Sequence, residues 1–154
     1  AYEDHKKGLC TYEVEQVILA IVVTTGIASI FLTKDYTPDY NSGLAHAIFY
    51  ALTSYPVIEK NHLHGEIVGF GVLLALLVDG QDEEFEKIYL LNKSISLPVS
   101  LDEIEISKEQ WEESTDRIPD MSDVAHYPYK VTKEMLKNAM ARLEEKVRKD
   151  IHVR

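Results

Sequence analysis

The residues of this 154-residue chain that could hold a cation or carry a proton are six histidines, one cysteine and 26 carboxylates. Three of the histidines, His46, His62 and His64, fall on either side of a short connection interrupted by Pro56. If the helices flanking that connection form a hairpin, His46 near the start of one comes beside His64 at the opening of the other. Two neutral imidazoles are then offered to one divalent metal such as Zn²⁺ or Fe²⁺. His62 is read as pointing away from that pair, because it lies only two positions from His64. Ordinary hydrogen-bonding histidines fit the same spacing, so residue type alone leaves both readings open.

The elements that must position these side chains are read as helices. Thr11 is an N-cap candidate, and Glu13 and Glu15 lie in the first turn, where the helix dipole favours negative charge. An apolar stretch then continues to about Phe31. The run Val17 to Thr33 is shorter than the roughly 20 residues a membrane span needs, so it is expected to be a buried core helix. The β-branched residues Val22 to Thr25 also admit a strand. Turn formers between Lys34 and Ser42 mark a loop. A second helix is expected from Leu44 to about Ser54, and a third from His64 to Asp79, stopped by Gly80 as a C-cap glycine. Gly69 and Gly71 lower helix propensity in the third, which argues that another backbone comes close there.

Asp82 to Lys93 can form a helix burying Phe85, Ile88, Tyr89 and Leu91, with its four leading acids as a solvated first turn. Ser100 with Glu103 and Ser107 with Gln110 have capping-box spacing and start two short helices. Thr132 caps a long amphipathic helix whose stripe is Met135, Ala139, Met140, Leu143, Val147 and Ile151. No internal repeat and no period-two pattern competes. The expectation is one all-α domain over 1–154, a bundle of about six helices.

Composition narrows the function. The formal charge of −10 argues against a chain that neutralises nucleic-acid or lipid phosphates. The imbalance lies between Asp79 and Asp123, with 14 acids and four bases. Neither a nucleic-acid partner nor a membrane is expected. The lone Cys10 cannot form an internal disulfide, which places the chain in the cytoplasm.

The segments Asn41-Ser-Gly-Leu-Ala-His-Ala-Ile and His64-Gly-Glu-Ile-Val-Gly-Phe-Gly, with His64 following His46 by 18 positions, carry a resemblance. Together with Glu15 to Ile18, Leu97 to Leu101 and Pro128 to Thr132, they resemble the carboxy-terminal helical domain of the glycerol dehydrogenase branch of the iron-containing alcohol dehydrogenases. That resemblance covers the chain from about Thr11 onward. It implies that His46 and His64 are two of three protein ligands to a catalytic Zn²⁺ or Fe²⁺ acting on a small polyol. It also implies an NAD-dependent oxidoreductase whose nucleotide is held by an amino-terminal domain. No Gly-rich phosphate loop and no counterpart of the third ligand, an Asp, are found in this sequence, so the chain alone is expected to be inactive. Phe49 stands where related dehydrogenases commonly place a second His. Glu66 is read as supporting the helix dipole or orienting its neighbours. The alternative is a non-catalytic, truncated relative that self-associates. On either reading, a homo-oligomer or the missing amino-terminal half is the expected partner.

Overall fold

The computed structural model describes residues 1–32 and 42–152, so most of the loop expected over Lys34 to Ser42 lies outside the described residues. The protein is all-helical, with no strand among the described residues, as the sequence patterning requires. Two compact units are present, Ala1–Asn41 and Ser42–Arg154.

The first unit consists of α1 (Tyr2–Lys6) and a continuous helix made of α2 (Tyr12–Leu19), a π-helical turn (Ala20–Thr24) and α3 (Thr25–Leu32). Thr11 caps α2, its hydroxyl accepting from the Val14 N–H, and it donates to the Asp4 carboxylate at 3.1 Å, tying α1 to α2. The strand alternative is not adopted: Ile21 to Thr24 lie in the π turn, where β-branched side chains crowd a regular ladder.

The expected burial of this helix is not met. Ile21, Val22, Ile30 and Phe31 are 63–69% exposed, and among the described side chains of the helix Val14 alone is buried. The physical reason is that apolar residues surround the helix, while among the described residues its own unit supplies only the five-residue α1 to cover them. The expectation from length also changes. Counted from Tyr12 to Phe31, the helix has 20 residues and is long and apolar enough to cross a membrane, a test that core helices and signal sequences also pass.

The second unit is built around α6 (His64–Val78), against which α4 (Leu44–Leu52), α7 (Asp82–Ser94) and α9 (Lys133–His152) pack. α6 buries Ile67, Phe70, Leu73, Leu74 and Leu77. It ends as a Schellman motif: Gly80 has φ +69°, Gln81 N–H donates to Leu76 C=O at 2.9 Å, and Gly80 N–H donates to Leu77 C=O. Of the two glycines inside α6, Gly71 meets the backbone expected of it, whereas Gly69 meets only side chains at ordinary contact distance. A Cβ on Gly71 would lie 2.6 Å from the Ala45 carbonyl oxygen, so α4 and α6 touch backbone to backbone. Gly69 faces Leu97 and the buried Asn92, whose amide donates to the Gly69 carbonyl.

Elsewhere the structure adjusts the sequence reading. Pro56 opens an additional short helix, α5 (Pro56–Asn61), where only a connection was expected. In α7, Phe85, Tyr89 and Asn92 are buried while Leu91 is 51% exposed, because positions i, i+4 and i+7 share one helical face and Leu91 does not lie on it. Ser107 and Gln110 form the expected capping box at the start of α8 (Lys108–Thr115). Ser100 accepts from the Glu103 N–H, but the Glu103 carboxylate reaches the Val99 N–H instead, and only a single 3₁₀ turn (Asp102–Ile104) follows. Two further 3₁₀ turns, Ile118–Asp120 and Ser122–Val124, connect α8 to the segment before α9. Thr132 caps α9, which buries Leu136, Ala139, Met140 and Leu143. The side chain of Ile151 lies outside the described residues.

Candidate metal centre

His46 lies in the first turn of α4 and His64 is the first residue of α6. Their meeting follows from the glycine contact. His64 and Gly71 are seven apart on α6, on one face of the helix, and Ala45, which presses on Gly71, immediately precedes His46. With no Cβ at Gly71, α4 approaches closely enough to bring the two imidazoles together. Their ring centroids are 5.5 Å apart, with planes inclined at 45°. Two imidazole nitrogens bound to one tetrahedral metal at about 2.0–2.1 Å place the ring centroids about 5 Å apart, so the observed separation suits a shared divalent ion.

The surroundings favour the ligand form of His46. Burial first, then the neighbouring His64, push its imidazole down from the ordinary 6.5, while Asp123 acts in the opposite direction. A lone pair not occupied by a proton is what a metal needs. His46 is half-buried and His64 is exposed, so the pair sits at the surface of the unit. Phe49, one turn on from His46, presents its ring edge-on to His64 with centroids 4.4 Å apart, and Tyr50 lies near His46 at 6.4 Å. Phe49 thus lends the site an apolar, aromatic wall and no hydrogen-bonding group.

Neither a protein-family model nor a curated protein matches this sequence.

The other candidates fall into place around the pair. His62 does not join it. Its Nδ1 is 3.6 Å from the Glu66 carboxylate and its Nε2 is 3.6 Å from that of Glu105, and Glu105 also accepts two hydrogen bonds from the Asn61 amide. The separation from His64 arises because His62 ends α5 in extended conformation whereas His64 begins α6. Glu66 acts on the helix start as expected, accepting the Leu63 N–H at 2.9 Å. Trp111 is a packing residue, 3% exposed. Among the described residues no group of three His, Cys, Asp or Glu side chains is gathered closely enough to hold a metal, and what the structure brings together is a pair of adjacent imidazoles. Sequence reasoning missed the Glu105 carboxylate, which faces His62 and accepts from the Asn61 amide. It is a tertiary contact between distant segments, with no local spacing that would reveal it.

Proposed function

We propose that this chain is the metal-binding helical part of an NAD-dependent polyol or alcohol dehydrogenase of the glycerol dehydrogenase type, inactive by itself. The observation that carries the proposal is the 5.5 Å approach of His46 and His64 from two helices locked together at Gly71. In this reading His46 and His64 hold Zn²⁺ or Fe²⁺ through neutral imidazole nitrogens, and Phe49 excludes water from one side of His64. The metal, when bound, supplies Lewis-acid polarisation of a substrate hydroxyl. Orientation of the alcohol against a nicotinamide belongs to a nucleotide-binding domain, because this sequence contains no Gly-rich phosphate loop. A cytoplasmic location accords with the single, exposed Cys10.

The test is a zinc titration of the purified chain against a chromophoric chelator, alongside H46A and H64A. One zinc per chain is expected, with each substitution weakening binding by about 100-fold or more, since removal of even supporting groups around a metal costs about 10–100-fold. NADH is expected not to bind this chain alone, and NADH binding would contradict the proposal. A second reading, a self-associating module without catalysis, is favoured by the exposed apolar surface of α2 and α3. Sedimentation at increasing concentration separates the two: concentration-dependent association with no zinc uptake would leave only the module.

A further inference from the structure

The helix that runs from Tyr12 to Leu32 has a middle without charge. From Gln16 to Thr33 the sequence holds 18 residues and no Asp, Glu, Lys or Arg. At a rise of 1.5 Å per residue such a run is about 27 Å long, close to the roughly 30 Å of a bilayer's hydrocarbon core. Its exposure is not confined to one stripe. Ile21 is 63% exposed and Val23 is 46% exposed, and residues two positions apart on a helix point to opposite sides. A helix that is apolar all round belongs either in the interior of a protein or across a membrane. The first solution is the one α6 adopts; among its described residues the first unit supplies no interior. The ends of the helix differ from its middle. Tyr12, 69% exposed, opens it, Glu13 and Glu15 lie in its first turn, and Lys34 follows the uncharged run in the sequence. Amphipathic and charged groups at both ends, with none between, suit a segment whose middle meets hydrocarbon and whose ends meet headgroups and water. The run also exceeds the about 7–15 apolar residues of a secretory signal, and acids rather than bases lead into it.

We propose that the helix Tyr12–Leu32 inserts across a lipid bilayer and attaches this chain to a membrane. The proposal goes beyond the metal reading and does not depend on it. A single protein partner covers one stripe of a helix, whereas lipid covers every side at once, which is what the exposure of both Ile21 and Val23 calls for. The helix is unbroken from α2 through the π turn to α3, so its backbone groups pair within the segment, as hydrocarbon requires. The expectation that no membrane is involved rests on the net charge of −10, and attachment of this kind does not use charge. Its driving force is the removal of apolar side chains from water.

The experiment mixes the full chain with vesicles of zwitterionic phosphatidylcholine and floats them on a density gradient, at low and at high salt. Ile21→Lys and Val23→Lys place a charge on opposite sides of the helix, and Leu90→Lys is the control, at an apolar position 58% exposed on α7 of the second unit. The unsubstituted chain is expected to float with the vesicles at both salt concentrations. Each of the two helix variants should lower the partition by about 100-fold, the effect of a lysine near the centre of a spanning helix, and Leu90→Lys by less than about 2-fold. Circular dichroism establishes that the variants remain helical, and Val22→Lys replaces either one that does not. Loss in only one of Ile21→Lys and Val23→Lys would overturn the spanning arrangement, since a helix lying flat on the surface tolerates a charge on its outer side. An equal loss in Leu90→Lys, or release by salt, would overturn it in favour of general adhesion or of headgroup attraction. A chain that stays off the vesicles, and sediments as an oligomer that Val23→Lys dissociates, would identify a second copy as the cover instead.

Discussion

Two helices of this protein are almost wholly apolar, and the structure treats them in opposite ways. α6 lies under α4, α7 and α9, with Ile67, Phe70, Leu73 and Leu74 fully buried. The continuous helix from Tyr12 to Leu32 presents Val17, Ile18, Leu19, Ile21, Val22 and Val23 at 46–67% exposure. Their hydrophobicity does not distinguish them. What distinguishes α6 is the set of notches and complementary surfaces that receive it: Gly71 against Ala45, and Gly69 against Leu97 and Asn92. Apolar content makes a segment helical and hungry for cover, but the shape of its neighbours decides whether cover is found.

The largest expected effect that can break this comparison is truncation in the two helices. Leu74→Ala should lower the unfolding free energy by about 2–5 kcal/mol, through lost burial and the cavity left behind. Val22→Ala, at a position 67% exposed, should change it by less than about 0.5 kcal/mol. Urea denaturation followed by circular dichroism compares them directly. A loss of several kcal/mol at Val22 would mean that the helix carries a packed face.

Much of this contrast was legible in the sequence on the α6 side and little on the other. Gly71, in a segment otherwise rich in Leu and Val, announces a backbone contact through its cost in helix propensity, while Gly69 meets only the side chains of Leu97 and Asn92. Gly80 announces the helix end, and the Ser107 and Gln110 pairing announces a start. All are local signals with a local physical cause. The His46–His64 pairing was legible only in part: each histidine sits beside a helix start, but the two starts meet across a connection that contains α5. The exposure of Val22 was not legible, because period and composition are the same for a covered helix and an uncovered one. Leu91 misled for a smaller reason: its apolar side chain suggested burial, whereas the face shared by Phe85 and Tyr89 turns Asn92 inward, where its amide donates to the Gly69 carbonyl.

A sharper and smaller test uses glycine in both helices. Gly71→Ala places a methyl 2.6 Å from the Ala45 carbonyl oxygen, which must move together with the α4 backbone. A loss of about 1–3 kcal/mol is expected, the usual cost of overpacking. Because the same contact brings His46 to His64, zinc affinity should fall in parallel. Gly26→Ala in α3 meets nothing within 4 Å and lies in a helix interior, where alanine is preferred. It should raise helix stability by about 0.5–1 kcal/mol. Thermal melts with zinc titration of each variant decide the matter, and equal effects at the two glycines would remove the distinction between the helices.

The smallest effect concerns the caps, and it tests whether each helix is stabilised by its unit or only by itself. Ser107 accepts from the Gln110 N–H at 3.2 Å, and the Gln110 side chain returns the bond to the Ser107 N–H at 2.8 Å. α8 is anchored by the buried Trp111, so its start cannot fray without disturbing the core. Ser107→Ala should therefore cost about 1 kcal/mol of the cooperative unfolding transition. Thr11 caps α2 through a longer contact, 3.4 Å to the Val14 N–H, on a helix whose side chains are largely exposed. An isolated helix near 20 residues is stable only marginally, so Thr11→Ala should fray the first turn without moving the main transition. Amide hydrogen exchange resolves the two cases: protection lost at Val14 alone for Thr11→Ala, and lowered throughout α4, α6 and α9 for Ser107→Ala. Exchange lowered across α6 by Thr11→Ala would show that this cap stabilises more than the helix it begins.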